Sequence, residues 1–234
     1  MLPKGFIENA RPVVLSRKNY NKIFCIGFNK TGTTTIELVL RHYGFNLPDQ
    51  EEQEIRLTQA SFATDYTELC NFVRNYDAFQ DLPFSQGEIY VVADALFPCS
   101  KFILTERNPE EWFRSLCAYH QKMFALGDLA LVTEQDLIEK CDYIYKGYVR
   151  DYKRRFLTSF YGGVEFTDWS KLYNKEYYIG MYEQRINCIR RYFAHAPHKL
   201  LVIDVTKENT TQKICDFLNI PQEFVIDMPH ENKT

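Results

Sequence analysis

No stretch of this chain stays apolar for the roughly 18 residues that a membrane helix needs. The opening segment, MLPKGFIENARPVVLSRKNY, also lacks the continuous apolar core of a secretory leader. A soluble, cytoplasmic protein with no membrane span is therefore expected. A basic excess is missing too: the formal net charge is −3, which argues against a general nucleic-acid binder while leaving room for local cationic sites on a small anion. Paired cysteine motifs are absent. Cys25, Cys70, Cys99, Cys117, Cys141, Cys188 and Cys215 are odd in number and scattered, with no C-x-x-C, so neither a disulfide framework nor a zinc site is indicated. Reduced thiols fit a cytosol-like compartment. Internal repeats and low-complexity segments are lacking as well. A length of 234 residues suits one domain, expected to span residues 1–234 with residues 1–21 as an N-terminal arm.

What is present centres on residues 22–40, KIFCIGFNKTGTTTIELVL. Lys22 to Ile26 is a short apolar run of the kind buried on both faces of a parallel sheet. Gly27 and Gly32 bracket a tight turn, and Thr33 to Tyr43 reads as a helix with Ile36, Val39, Leu40 and Tyr43 on one face and Gly44 at its stop. A strand, a glycine loop and a helix N-terminus together form an anion cradle, because orphan N–H groups and the positive end of the helix dipole converge there. Asn29, Lys30, Thr31, Gly32, Thr33, Thr34 and Thr35 are the candidate ligand-binding residues. The competing reading is a glycine turn whose threonines only cap the helix. The usual nucleotide loop places lysine directly after the second glycine; here Thr33 holds that position and the lysine lies inside the loop, at residue 30.

Further along, a helix is expected over residues 54–74, a short strand at residues 77–80, a helix over 88–97 and a strand at Lys101–Thr105. Asn108-Pro109-Glu110-Glu111 is a well-specified helix start. A long helix over residues 133–156, another striped by Tyr182, Ile186, Ile189 and Phe193, a strand at residues 200–205 and a helix over 209–218 complete the pattern. The alternation argues for an α/β fold: a mostly parallel sheet of about four or five strands with helices on both faces, of the P-loop type. Residues 116–195 show no clear strand and read as a helical cap inserted before the last strand.

Ligands of such sheets bind beyond the strand ends. Arg107 follows the strand at 101–105, and Ser115 comes eight residues later; a guanidinium and a hydroxyl suit a phosphate dianion. The Lys-Thr-Gly-Thr-Thr loop together with strand-Arg-x₇-Ser resembles the two-part cofactor signature of the sulfotransferases that use 3′-phosphoadenosine 5′-phosphosulfate (PAPS). FQDLPF (79–84), LFPCSKFILTERNPEEWFRSL (96–116), HKLLVIDV (198–205), ICDFLNIP (214–221) and MPHEN (228–232) are similar, in the same order, to a small soluble branch of that family. The resemblance implies the 5′-phosphosulfate at the loop and the 3′-phosphate at Arg107 and Ser115. It also implies 3′-phosphoadenosine 5′-phosphate as product, no metal, and a small-molecule or glycan acceptor.

The chain departs from the family in places. Asp81 stands where the phenol and steroid enzymes carry a histidine before Leu-Pro, and it is the candidate base; Lys30 is the candidate catalytic cation. The closing Arg-Lys-Gly segment is missing, and Arg185-Ile186-Asn187 replaces a frequent His-Asn. Many Golgi members also carry a membrane anchor. A P-loop kinase, with Asp94 as its magnesium carboxylate, and a non-catalytic nucleotide-binding protein are the competing functions. His42 and His120 read as structural, and Lys153-Arg154-Arg155 as a solvated helix end.

Overall fold

The computed structural model describes residues 11–229; the opening arm up to residue 10 and the end of the MPHEN motif lie outside the described residues. The chain folds as two compact units: one runs to Arg107 and resumes at Arg185, the other comprises Asn108–Gln184. The elements follow in order: β1 (Ile23–Cys25), α1 (Thr33–His42), α2 (Gln50–Phe62), α3 (Tyr66–Val73), β2 (Ala78–Phe79), α4 (Ile89–Leu96) and β3 (Lys101–Thr105). Then come α5 (Pro109–Phe124), α6 (Glu134–Glu139), α7 (Tyr148–Leu157), β4 (Thr158–Tyr161), β5 (Val164–Thr167), α8 (Lys175–Tyr192), β6 (Leu200–Ile203) and α9 (Gln212–Leu218).

The first unit is an α/β layer structure on a four-stranded sheet of order β2-β1-β3-β6. Every pairing is parallel, with Ile23 opposite both Ala78 and Lys101, and Phe102 opposite Leu200. Successive side chains of a strand alternate faces, and both faces here are covered. Ile23 and Cys25 pack with Ile36, Val39, Leu40 and Tyr43 of α1 and its cap. Phe24 points the other way, its ring 4.9–5.9 Å from those of Phe79, Phe84, Phe97 and Phe102. That is why the strand reads as an unbroken apolar run. Each buried phenylalanine contributes about 1.5–3 kcal/mol over its exposed state.

The order has a consequence for ligands. From β1 the chain crosses to β2 on one side, whereas from β3 it leads to β6 on the other. The winding therefore reverses between β1 and β3, and sheets of this kind bind ligands beyond the carboxyl ends of the strands at such a reversal.

Three sequence expectations need correction. The helix expected over 54–74 is two helices, because Thr64 adopts a left-handed φ of 56° and the Asp65 carboxylate accepts from the amides of Thr67 and Glu68, starting a new helix. The helix expected over 133–156 is also two: Thr133 and Asp136 form a capping box for the short α6, and Gly147, with φ 92°, separates it from α7. The stretch 116–195 does contain strands. β4 and β5 form an antiparallel hairpin in the second unit, separate from the parallel sheet.

The basic run is corrected in part. Arg154 and Arg155 are exposed, but Lys153 is buried and faces inward with Val149 and Leu157, its neighbours one turn either way. Its ammonium nitrogen lies 5.0–5.7 Å from the ring centres of Tyr152, Phe156, Tyr173 and Tyr178. Both histidines have the structural settings expected: His42 is buried at the end of α1, and the His120 Nδ1 lies 2.9 Å from the Tyr173 hydroxyl.

Candidate active site

The loop after β1 is built to be tight. A Cβ on Gly27 would lie 1.9 Å from Oγ1 of Thr105, so only glycine lets β1 and β3 close at this level. Gly32 has φ 96° and would meet Val205 at 2.3 Å, a second position that excludes a side chain. Thr31 is buried between them; its hydroxyl donates to the carbonyl of Phe28 and shares a 2.6 Å hydrogen bond with Thr105. That side chain ties the loop to β3 and is not a free donor. Gly32 is the N-cap of α1 and supplies no side-chain acceptor, so the threonines do not cap the helix through that position. Thr33 and Thr35 are buried and Thr34 is exposed. The first-turn amides of such a helix have no intrahelical acceptor and carry the positive end of its dipole.

Lys30 sits in the loop at a left-handed φ of 67°, half-buried beside Asn29. Burial lowers its pKa, the nearby Arg107 charge lowers it further, and Asp81 opposes both. Lys30, Asp81 and Arg107 thus share one electrostatic neighbourhood, which the Glu37 carboxylate also reaches through Asp81. Ser115 belongs to the second unit, half-buried in the second turn of α5, whose start is the Asn108 cap expected from sequence.

Asp81 follows β2 directly, with a left-handed φ of 59° and a cis Leu82–Pro83 bond after it. Its loop is held from two sides. The Gln53 amide donates to the carbonyls of Gln80 and Leu82, at 2.6 and 2.5 Å. Arg185 donates to the carbonyl of Ile26 at 2.7 Å, of Gly87 at 3.1 Å and of Phe84 at 3.3 Å, with its guanidinium 4.8 Å from the Phe28 ring. One side chain therefore binds the end of β1 to the loop that carries Asp81. Burial pushes the Asp81 carboxyl up to about 6. A hydrogen bond from Ser85 (3.3 Å), the Leu82 amide and the Lys30 charge work against that rise, and the Glu37 carboxylate adds to it. Glu37 is itself fixed by Arg41 at 2.8 Å and by the Gln80 amide at 3.1 Å.

Thr105, Ser85, Gln53 and Glu37 escaped the sequence reading, and Arg185 figured there only as a departure from a family pattern. Thr105 and Ser85 stand beside residues that were singled out, but nothing in a linear sequence says that a hydroxyl 74 residues away meets Thr31. Asp94, the carboxylate a kinase reading required, lies on α4 and is engaged by Lys199 at 2.8 Å and by the Tyr192 hydroxyl at 3.2 Å, so it is not a strand-end magnesium ligand.

A search of curated proteins returns no match. The family model described as "Sulfotransferase domain" matches residues 22–234, from the start of the first strand to the end of the chain. With glycine loop and parallel sheet both inside the matched region, the chain belongs to the sulfotransferase domain family.

Proposed function

We propose that this protein transfers a sulfuryl group from PAPS to a hydroxyl or amine of a small-molecule or glycan acceptor. The observation that carries this reading is the meeting of Lys30, Arg107 and a half-buried Asp81 of raised pKa in one electrostatic neighbourhood beyond β1 and β3. The donor set fits the group: backbone amides at a helix start and two cations match a nucleotide with anionic groups at both its 5′ and 3′ positions, and none of it requires a metal. When bound, PAPS supplies an activated sulfuryl group on a good phosphate leaving group.

The chain's own residues do the rest. The Asn29–Thr35 loop holds the 5′ end through amides and the hydroxyls other than that of Thr31. Arg107, with Ser115 by family resemblance, takes the 3′-phosphate. The Asp81 carboxylate accepts the proton that leaves the acceptor O–H or N–H as the new bond to sulfur forms. The Lys30 ammonium stabilises the negative charge that appears on the departing phosphate oxygen. Arg185 and Gln53 hold the base loop in register with β1. The cap expected over residues 116–195 overlaps the compact unit Asn108–Gln184 and is read as part of a single sulfotransferase-like domain, and the unpaired cysteines agree with a cytoplasmic setting.

The test is transfer of labelled sulfate from PAPS onto a panel of hydroxyl and amine acceptors, beside a parallel assay with ATP and magnesium. Transfer from PAPS alone is expected; phosphoryl transfer from ATP overturns the proposal.

A further inference from the structure

Asp81 holds a left-handed φ of 59°, a conformation that a non-glycine residue keeps only where its surroundings fix it. Those surroundings are polar side chains from two helices. The Gln53 amide of α2 donates to the carbonyls on either side of Asp81, those of Gln80 and Leu82. The Gln80 amide, next to Asp81 in the chain, donates to Oε2 of Glu37 on α1 at 3.1 Å and to Oε1 of Gln50 on α2 at 3.2 Å. Arg41, one turn beyond Glu37, donates to its Oε1 at 2.8 Å and to the carbonyls of Leu47 and Pro48, just ahead of α2, at 3.3 and 2.8 Å. The end of β2, α1 and α2 are thereby closed into one network around the loop that carries Asp81.

Glu37 is the carboxylate of that network. Each of its oxygens takes a donor, one from Arg41 and one from Gln80. Only a group without N–H or O–H satisfies both; a glutamine there would turn a donor toward one of them. The Glu37 side chain is 17% exposed. It lies one turn after Thr33, the first residue of α1, about 6 Å along the helix axis from the end that follows the anion loop. A rigid helical turn therefore joins the loop proposed to hold the 5′ end of the nucleotide to the residue that grips the Asp81 strand.

We propose that Glu37 is a positioning residue for sulfuryl transfer: through Gln80 it fixes the Asp81 loop to the helix of the anion loop, and its negative charge opposes the charge on Asp81. This role rests on the reading of Asp81 as the base. The groups that face Asp81 differ in sign. Lys30 and the Ser85 hydroxyl favour its carboxylate, and Glu37 disfavours it. The Cys25 thiol of β1 stays neutral, pushed up to about 12 by burial with a further rise from Asp81. Gln53 of α2 brings only an amide, and Arg185 of α8 is engaged with the carbonyls of Ile26, Phe84 and Gly87. Glu37 is the anion of this set, so removing its charge lets Asp81 ionise at a lower pH.

Isotope labelling of the aspartate carboxyl carbons lets NMR follow the Asp81 titration in the full chain without an acceptor, its signal assigned by its loss in Asp81→Asn. Glu37→Gln is expected to lower the Asp81 midpoint by about half a unit or more. Gln80→Met cuts the link and keeps the Glu37 charge. Its midpoint should stay at the wild-type value, while kcat for labelled-sulfate transfer from PAPS drops at least about tenfold with KM for PAPS little changed. A merely structural Glu37 would not separate the two variants in this way. An unshifted midpoint in Glu37→Gln, or a wild-type kcat in Gln80→Met, overturns the inference while the base reading stands. Undiminished transfer in Asp81→Asn overturns both.

Discussion

Asp81 has to be ionised to act as a base, and its half-buried surroundings work against that. Burial raises its pKa to about 6, so the group is ionised above that pH and increasingly protonated below it. The acidic limb of kcat/KM for sulfuryl transfer should therefore fall near pH 6. A limb near the ordinary carboxylate value of about 4 would assign it to another group. The same shift acts on stability with a definite sign. The folded pKa lies above the unfolded one, so stability from this group is fully present below about pH 4 and is lost as pH rises through about 6. Asp81→Asn keeps the shape, tolerates the left-handed φ and carries no charge. It should lower transfer by about 10²–10⁴ and, at neutral pH, raise the melting temperature by a few degrees. Thermal melts at two pH values decide the matter: a gain in stability present at neutral and absent near pH 4 supports the account, and a loss at both contradicts it. Lys30→Ala tests the partner cation. Its charge matters most as the leaving phosphate develops, so kcat should drop on the order of 10²–10³ with a smaller change in cofactor affinity. If affinity falls and single-turnover transfer does not, Lys30 only binds.

At the scale of elements, what could be read from the sequence was what the local chain decides alone. The strand–loop–helix of residues 22–44, the Asn108 cap and the strand at 101–105 appear where periodicity and capping place them, because each is set by neighbours within a few residues. Two long helices were misread for a reason also visible locally. The Asp65–Glu68 pair is a helix start inside a run whose apolar spacing continues across it, and Gly147 breaks the second run in the same way. The hairpin was missed although the Gly162-Gly163 turn and the alternation of Val164-Glu165-Phe166-Thr167 are local signals; Thr158–Tyr161 does not alternate, and both faces carry exposed apolar side chains.

Lys153 was misassigned because a basic triplet reads as surface, whereas the i, i+4 spacing with Val149 and Leu157 puts its first member inside. Burial pushes its amine down to about 7, although the four surrounding rings favour the ammonium. Here the folded pKa lies below the unfolded value of about 10.4, so stability increases as pH rises from about 7 toward 10. Lys153→Met should fill the same space, stabilise the protein at neutral pH and flatten that rise. Urea midpoints at pH near 7 and near 9 will show it; a variant with the wild-type slope would mean that the amine is charged throughout.

For the whole molecule, function depends on a topology that no single motif contains. The loop after β1 and Arg107 after β3 are distant in sequence, and the strand order brings them to one end of the sheet. Sequence reading proposed the cofactor-binding residues from the glycine loop and the family pattern. It did not reach the supports, because Arg185 binding the carbonyls of Ile26, Phe84 and Gly87 is a tertiary arrangement with no local signature. The central claim is that this site is made for a nucleotide with anions at both its 5′ and 3′ positions. Calorimetric titration with 3′-phosphoadenosine 5′-phosphate and with ATP measures it most directly. The account predicts nanomolar-to-micromolar binding of the bisphosphate, with ATP at least about tenfold weaker. Arg107→Ala should cost the bisphosphate about 2–4 kcal/mol and leave ATP nearly unchanged. ATP binding as tightly as the bisphosphate, or an Arg107→Ala variant with undiminished affinity, would contradict it.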